Sequence, residues 1–265
     1  MLERIKCCLC YPRFIGKFFK DKVGTIILTI LFFIISYGAI LGVKCYSSDY
    51  FDDESILAVT SNILQGESSN VKYDKDTYTL TGSNVVYKGD GFVVTFFPVE
   101  GSSFIGNDVS VNIVFDSTGG YIDFAGYGVV SEFSYKDINA GSFSISAIQK
   151  NDINAIYNFK VMLYGALNTS SYFFNTYDFA LDFISNVSLY FVFVLICFFF
   201  SKGINPTIDK KVRVKLCFYD NLIYFVVCLV NVMVSVELLD YVGLILPLIF
   251  TFITFRHIVR VPVNK

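Results

Sequence analysis

Residues 24–43 (GTIILTILFFIISYGAILGV) run for twenty positions without a charge. A helix rises ~1.5 Å per residue and a bilayer's hydrocarbon layer is ~30 Å thick, so about 20 apolar residues are what a spanning helix needs. Three further stretches approach that length. They are residues 183–201 (FISNVSLYFVFVLICFFFS), 221–236 (NLIYFVVCLVNVMVSV, extended by Phe218 and Tyr219) and 242–255 (VGLILPLIFTFITF, extended through His257 and Ile258). The last carries Pro247. Composition agrees: 54% hydrophobic and 17% charged residues, with a mean hydropathy of +0.56, exclude most soluble enzymes and a disordered chain alike.

Lysine and arginine mark cytoplasmic flanks. Residues 1–23 carry Arg4, Lys6, Arg13, Lys17, Lys20 and Lys22. Residues 202–217 carry Lys202, Lys210, Lys211, Arg213 and Lys215, and the tail carries Arg256, Arg260 and Lys265. Acids in these segments are Glu3, Asp21 and Asp209, whereas residues 44–178 hold sixteen acids against seven bases. The bias predicts a cell-membrane protein of four spans with both termini cytoplasmic. A basic leader (1–23) precedes the first span (24–43), and an extracytoplasmic region (44–180) follows it. A second span (181–201), a basic cytoplasmic loop (202–217), a third span (218–237), a fourth (242–258) and a cytoplasmic tail (259–265) complete the chain. The first apolar run exceeds the 7–15 residues of a signal peptide's core, so it reads as an uncleaved anchor. In the leader, Phe14, Ile15, Phe18 and Phe19 alternate with bases. That pattern suits a helix in the headgroup layer, and a plain topogenic flank explains the same residues.

The region after the first span is richer in Gly, Ser, Asn and Asp. Residues 55–65 space apolar side chains as a helix face, with Ser55 or a neighbouring Asp as cap and Gly66 as terminator. Short β-rich runs follow at 77–80, 84–88, 92–97, 109–115, 121–124, 127–135 and 142–148, with turns expected at 88–91 and 116–120. Residues 151–167 return to a helical pattern. The fold class is therefore an α+β extracytoplasmic domain with a small antiparallel sheet. It is inserted between transmembrane helix 1 and a three-helix transmembrane bundle.

Little catalytic chemistry is on offer. The single histidine, His257, sits at the end of the fourth span, away from the expected folded domain, which argues against a serine triad or a histidine–metal site there. No P-loop, dinucleotide fingerprint or HExxH motif is present. Asp90, Asp108, Asp116, Asp123 and Glu132 could supply a glycosidase-like pair, as any acidic domain could by chance. No catalytic residue, cofactor or metal ligand is expected. Of seven cysteines only Cys45 falls in the outer region, so no disulfide forms within it, and Cys7, Cys8 and Cys10 are expected to be reduced thiols. A net charge of −2 gives no basic excess for nucleic acid. Gly38 and Gly42 form a small-xxx-small element for close helix packing. Asp220, Tyr224, Cys228, Asn231 and Ser235 share one helical face, with Asn231 expected near mid-membrane; such a stripe serves as interhelical glue or lines a substrate path, and the first is the expected role. No charge is expected deep in any span, which disfavours an ion-coupled transporter.

The order of a basic leader with Tyr11-Pro12, one span, a helix, a β-rich domain and three closing spans frames a more specific stretch, VNIVFDSTG at 111–119. In layout and in that stretch the chain resembles the maltodextrin-utilisation membrane proteins of Gram-positive bacteria, catalogued as a domain of unknown function. The resemblance implies a cell-membrane protein associated with sugar uptake and supplies no catalytic residues. Asp116, Ser117, Thr118 and Gly119 are expected to build a turn in which the Asp116 carboxylate accepts from the Thr118 or Gly119 backbone. The expected function is a non-enzymatic multipass protein whose outer domain binds a ligand or partner. Its partners are then the bilayer and a transporter or a second copy. A transporter subunit or small permease is the alternative, and an outer-face hydrolase the third reading.

Overall fold

A computed structural model describes residues 2–47, 53–66, 69–89, 91–99 and 110–258. The Ser55 side chain, Asp90, Asp108 and the tail from residue 259 lie outside the described parts. The chain is mixed α+β and divides into two compact units, 49–176 and 1–48 with 177–265.

In the 49–176 unit, α3 (Asp53–Gln65) precedes two sheets. β1 (Lys72–Asp74), β2 (Thr79–Thr81) and β8 (Phe143–Ser144) form an antiparallel sheet in the order β2-β1-β8. β3 (Val85–Lys88), β4 (Phe92–Phe96), β5 (Val111–Phe115), β6 (Gly119–Phe124) and β7 (Gly128–Ser134) form the other, in chain order. The β3–β4 hairpin closes where Gly89 N–H donates to Phe92 O at 2.7 Å. The purely antiparallel sheet expected from the sequence is corrected at its centre, where β4 and β5 run parallel. Both strands are buried along their whole length, which is why FVVTF and VNIVF read as continuous apolar runs without alternation. Their two polar side chains satisfy each other, Thr95 Oγ1 donating to Asn112 Oδ1 at 2.8 Å. Phe96 stacks on Phe115 and meets Phe159 of the following long helix. The strand expected over 142–148 is present only as β8, and the rest of it is a second correction. Ser144 Oγ accepts from Ala147 N–H and starts a helix, α4 (Ile145–Gln149).

The other unit begins with α1 (Leu2–Cys10) and a 3₁₀ segment, Pro12–Lys20. Four helices are long and apolar enough to cross a membrane: Val23–Ser47, Ile153–Ile204, Lys210–Val234 and Leu238–His257. The first is α2, the second α5. The third comprises α6 (Lys210–Asp220) and α7 (Leu222–Val234), and the fourth is α8 (Leu238–His257). At 52 residues α5 exceeds what a span needs, and its first half belongs to the 49–176 unit. Tyr37, Tyr190, Phe225 and Phe255 fill the core, while Ile27, Leu28, Ile35, Phe199 and Ile245 face outward. Outward apolar faces on such helices are the surface that meets lipid.

Three sequence boundaries move. The basic loop expected over 202–217 shrinks, because Asp209 accepts from Lys211 N–H at 2.8 Å and caps α6. Charge counting missed the apolar face of Val212, Leu216 and Tyr219 that turns α6 inward. The third span ends at Val234, not 237, since Ser235 adopts a left-handed conformation that closes α7. The fourth begins at Leu238, not 242, and runs through the buried Pro247 without a break.

Close approach of β6 to its neighbours requires Gly119 and Gly120: a Cβ on Gly120 would be driven into Val114 O and to 2.6 Å from the Phe133 ring. Gly120→Ala should cost about 3 kcal/mol through overpacking. Urea unfolding of the purified chain checks this, and a midpoint unchanged from wild type would refute it.

Candidate functional site

β5 and β6 are joined by the Asp116–Gly119 turn. Asp116 N–H donates to Gly119 O and Ser117 N–H to Asp116 Oδ1, both at 2.7 Å. The carboxylate thus accepts from Ser117, not from Thr118 or Gly119 as expected; Gly119 lies opposite Ser134 of β7. The Tyr135 hydroxyl donates to Asp116 O and clamps the turn from below. Burial, with Asp116 and then Tyr73 adding, pushes the Tyr135 phenol up, so it stays a donor.

This turn forms one wall of an open cleft of about 550 Å³. Antiparallel pairing sets Tyr121 opposite Glu132 and Gly119 opposite Ser134, and the 3₁₀ turn after β7 adds Asp137. Thr169 of α5 completes the lining and accepts from Ser131 Oγ at 2.8 Å. Asp116, Glu132 and Asp137 thereby share one cleft with the hydroxyls of Thr118, Ser134, Tyr121 and Thr169. Burial, then Asp123 and Asp116, raise the Tyr121 phenol above its ordinary value. Asp123 is not part of the lining. Tyr121, Asp137 and Thr169 carry no signal in the sequence, because strand register and a helix residue 32 positions beyond Asp137 bring them together. Among the described residues no group of three or more His, Cys, Asp and Glu is arranged to hold a metal ion.

In the helical unit, Gly38 faces the Phe183 ring, where a Cβ would lie at 2.9 Å, and Gly42 faces Phe179. Asn231 is not at mid-span as expected. It sits in the last turn of α7, donates to Asp240 Oδ1 at 2.6 Å and accepts from Val236 N–H at 3.0 Å. Ser235 Oγ accepts from Lys44 Nζ at 3.3 Å. Tyr224 and Cys228, on the same face, both donate to Asn186 Oδ1 of α5. A cavity of about 310 Å³ includes Tyr37, Lys44, Asp182, Asn186, Asn231 and Asp240 in its lining.

The remaining member of that face overturns the expectation that no charged residue type lies deep in a span. Asp220 is 0% exposed, halfway along Lys210–Val234, with Thr254 Oγ1 at 2.6 Å. The leader is also more than a flank. Ile15 and Phe18 are buried, and Asp21 gathers Arg4 Nε and Nη2 at 2.7 and 2.9 Å, with the Tyr219 hydroxyl at 2.6 Å. Lys215 Nζ donates to Asp21 O at 2.6 Å.

These features define a polytopic membrane protein carrying a mixed α/β unit with an acidic, hydroxyl-rich cleft. Comparison with protein-family models, curated proteins and solved structures finds no significant match.

The Arg4 guanidinium holds the Asp21 carboxyl below the usual carboxylate range, burial opposing and the Tyr219 hydroxyl assisting. A lowered carboxyl stabilises the fold fully above its unfolded value of about 3.9 and ceases to do so as pH falls through its folded value. The excess Tm of wild type over Asp21→Asn should therefore be constant near neutrality and shrink below pH ~4. An excess that stays flat into acid would refute the role given to this pair.

Proposed function

We propose that the chain is a non-enzymatic multipass protein of the cell membrane whose 49–176 unit faces outside and binds a ligand, as an accessory to sugar uptake. The cleft at the Asp116 turn carries this reading. It is concave, and it collects acceptors and hydroxyls beside a tyrosine ring, the inventory that suits a polyhydroxylated ligand: carboxylates accept from sugar hydroxyls, and an aromatic face covers the apolar side of the ring. The same stretch carries the resemblance to maltodextrin-utilisation proteins. Orientation rests on the charge bias of the flanks. The polar cavity among α2, α5, α7 and α8 favours a second reading, in which the spans form a small permease or pack on a transporter.

A membrane-impermeant maleimide applied to intact cells should label Cys45 and spare Cys10, which is exposed at the other end of the first span's flank. The reverse pattern would invert the topology.

Isothermal titration of the full-length protein in detergent with maltotriose should show saturable heat. Glu132→Gln and Asp137→Asn should each weaken binding by about tenfold, the cost of losing a charged hydrogen-bond acceptor. Absence of binding across a maltooligosaccharide series, or affinity unaffected by both substitutions, would remove the sugar reading.

A further inference from the structure

We propose that Asp220 is a proton-binding site of the helical unit, and that its proton latches the leader to α8. Thr254 Oγ1 lies 3.0 Å from Pro12 O, in the leader, and 2.6 Å from Asp220 Oδ1. A threonine hydroxyl has one hydrogen to give and lone pairs to receive with, and a proline carbonyl only accepts. Both contacts are hydrogen bonds only when Asp220 supplies the second hydrogen, donating to Thr254 while Thr254 donates to Pro12. One added proton therefore completes a three-member chain running from α6 through α8 to the leader.

The surroundings single out this carboxyl. Asp220 Oδ2 and Thr251 Oγ1 are both buried without a hydrogen-bond partner among the described residues. Of the nearby cations, Arg4 and Lys215 are committed to Asp21, and Arg213 Nη2 donates to Asn205 O and Ile208 O while its Nη1 is buried without a hydrogen-bond partner among the described residues. The titratable groups that face Asp220 are thiols, Cys8 from α1, Cys197 from α5 and Cys217 from α6, and α8 contributes only the two threonines. When the proton leaves to water, the carboxylate takes the single Thr254 hydrogen, because a charged acceptor makes the stronger bond. Pro12 O then loses its α8 donor, and the leader, with Cys8 inside it at 0% exposure, is released at that contact.

The test uses the full-length protein in detergent micelles. Asp220→Asn offers an N–H where the acid offers its O–H, so it keeps the chain intact at every pH. The infrared difference spectrum, wild type minus D220N, should contain the C=O stretch of a protonated carboxylic acid that fades as pH rises. If that band is missing at all pH values, the proposal is overturned. The alkylation rate of Cys8, resolved by mass spectrometry, is taken as wild type over D220N at each pH; the charge Asp220 gains as pH rises can only suppress the Cys8 thiolate in this ratio, so a rise in it reports access. This ratio should rise about tenfold over the range in which the band fades, the worth of one buried hydrogen bond. A flat ratio overturns the latch. Thr254→Val cannot bridge, so it should label at the fast rate at every pH, relative to wild type alone should D220N not fold. Slow labelling of Cys8 in T254V also overturns the latch.

Discussion

Hydrocarbon offers no partner to a backbone N–H or C=O, so whatever crosses it must satisfy those groups from within the segment. The helical unit obeys that constraint throughout. Its spans are helical, the third interrupted only at Asn221 between α6 and α7, Pro247 is tolerated inside another, and outward faces are apolar. Some polar side chains are turned inward and matched across helices, as with Tyr224 and Cys228 on Asn186. Where the spans end, charge takes over. Asp21 ties α1, the 3₁₀ segment and α6 together through a bidentate arginine, a tyrosine hydroxyl and a lysine on its carbonyl. A short amphipathic leader of that size has no stable fold alone, and this junction, with buried Ile15 and Phe18, joins it to the bundle.

The 49–176 unit solves the opposite problem, since its polar groups can meet water at the surface and only its centre must be dry. A parallel strand pair buried on both faces supplies that centre, with Thr95 and Asn112 satisfying each other inside it. The flanking antiparallel strands come so close that two successive glycines are needed, and the turn in front of them becomes the rim of a cleft. The same backbone requirement that closes β5 onto β6 thereby places Asp116 beside Glu132 and Asp137.

Much of this was legible from one chain of letters, and the parts that were not have a common cause. Apolar runs of spanning length, the hairpin at Gly89 and the turn at Asp116 all depend on residues close in sequence, so local pattern sufficed. The buried strand pair was read as two strands, but their parallel pairing depends on a crossover that no period reveals. Residues 145–148 read as a continuation of β8 because the cap that turns them into a helix is a single hydrogen bond from Ala147 N–H to Ser144 Oγ. Charge counting assigned residues 202–217, and with them most of Lys210–Asp220, to a loop, although the apolar residues of that stretch recur at helical spacing.

The amino-acid order by itself determined that this chain has four membrane-length helices and a separate α+β unit, because hydrophobic length and period are local quantities. Tertiary structure alone decided which polar side chains meet. It moved Asn231 to a helix end against Asp240, sealed Asp220 beneath Thr254, and gathered Asp116, Glu132, Asp137 and Thr169 around one cleft. Those encounters join residues from different elements, and distance in space between elements is set by packing, which no single segment encodes.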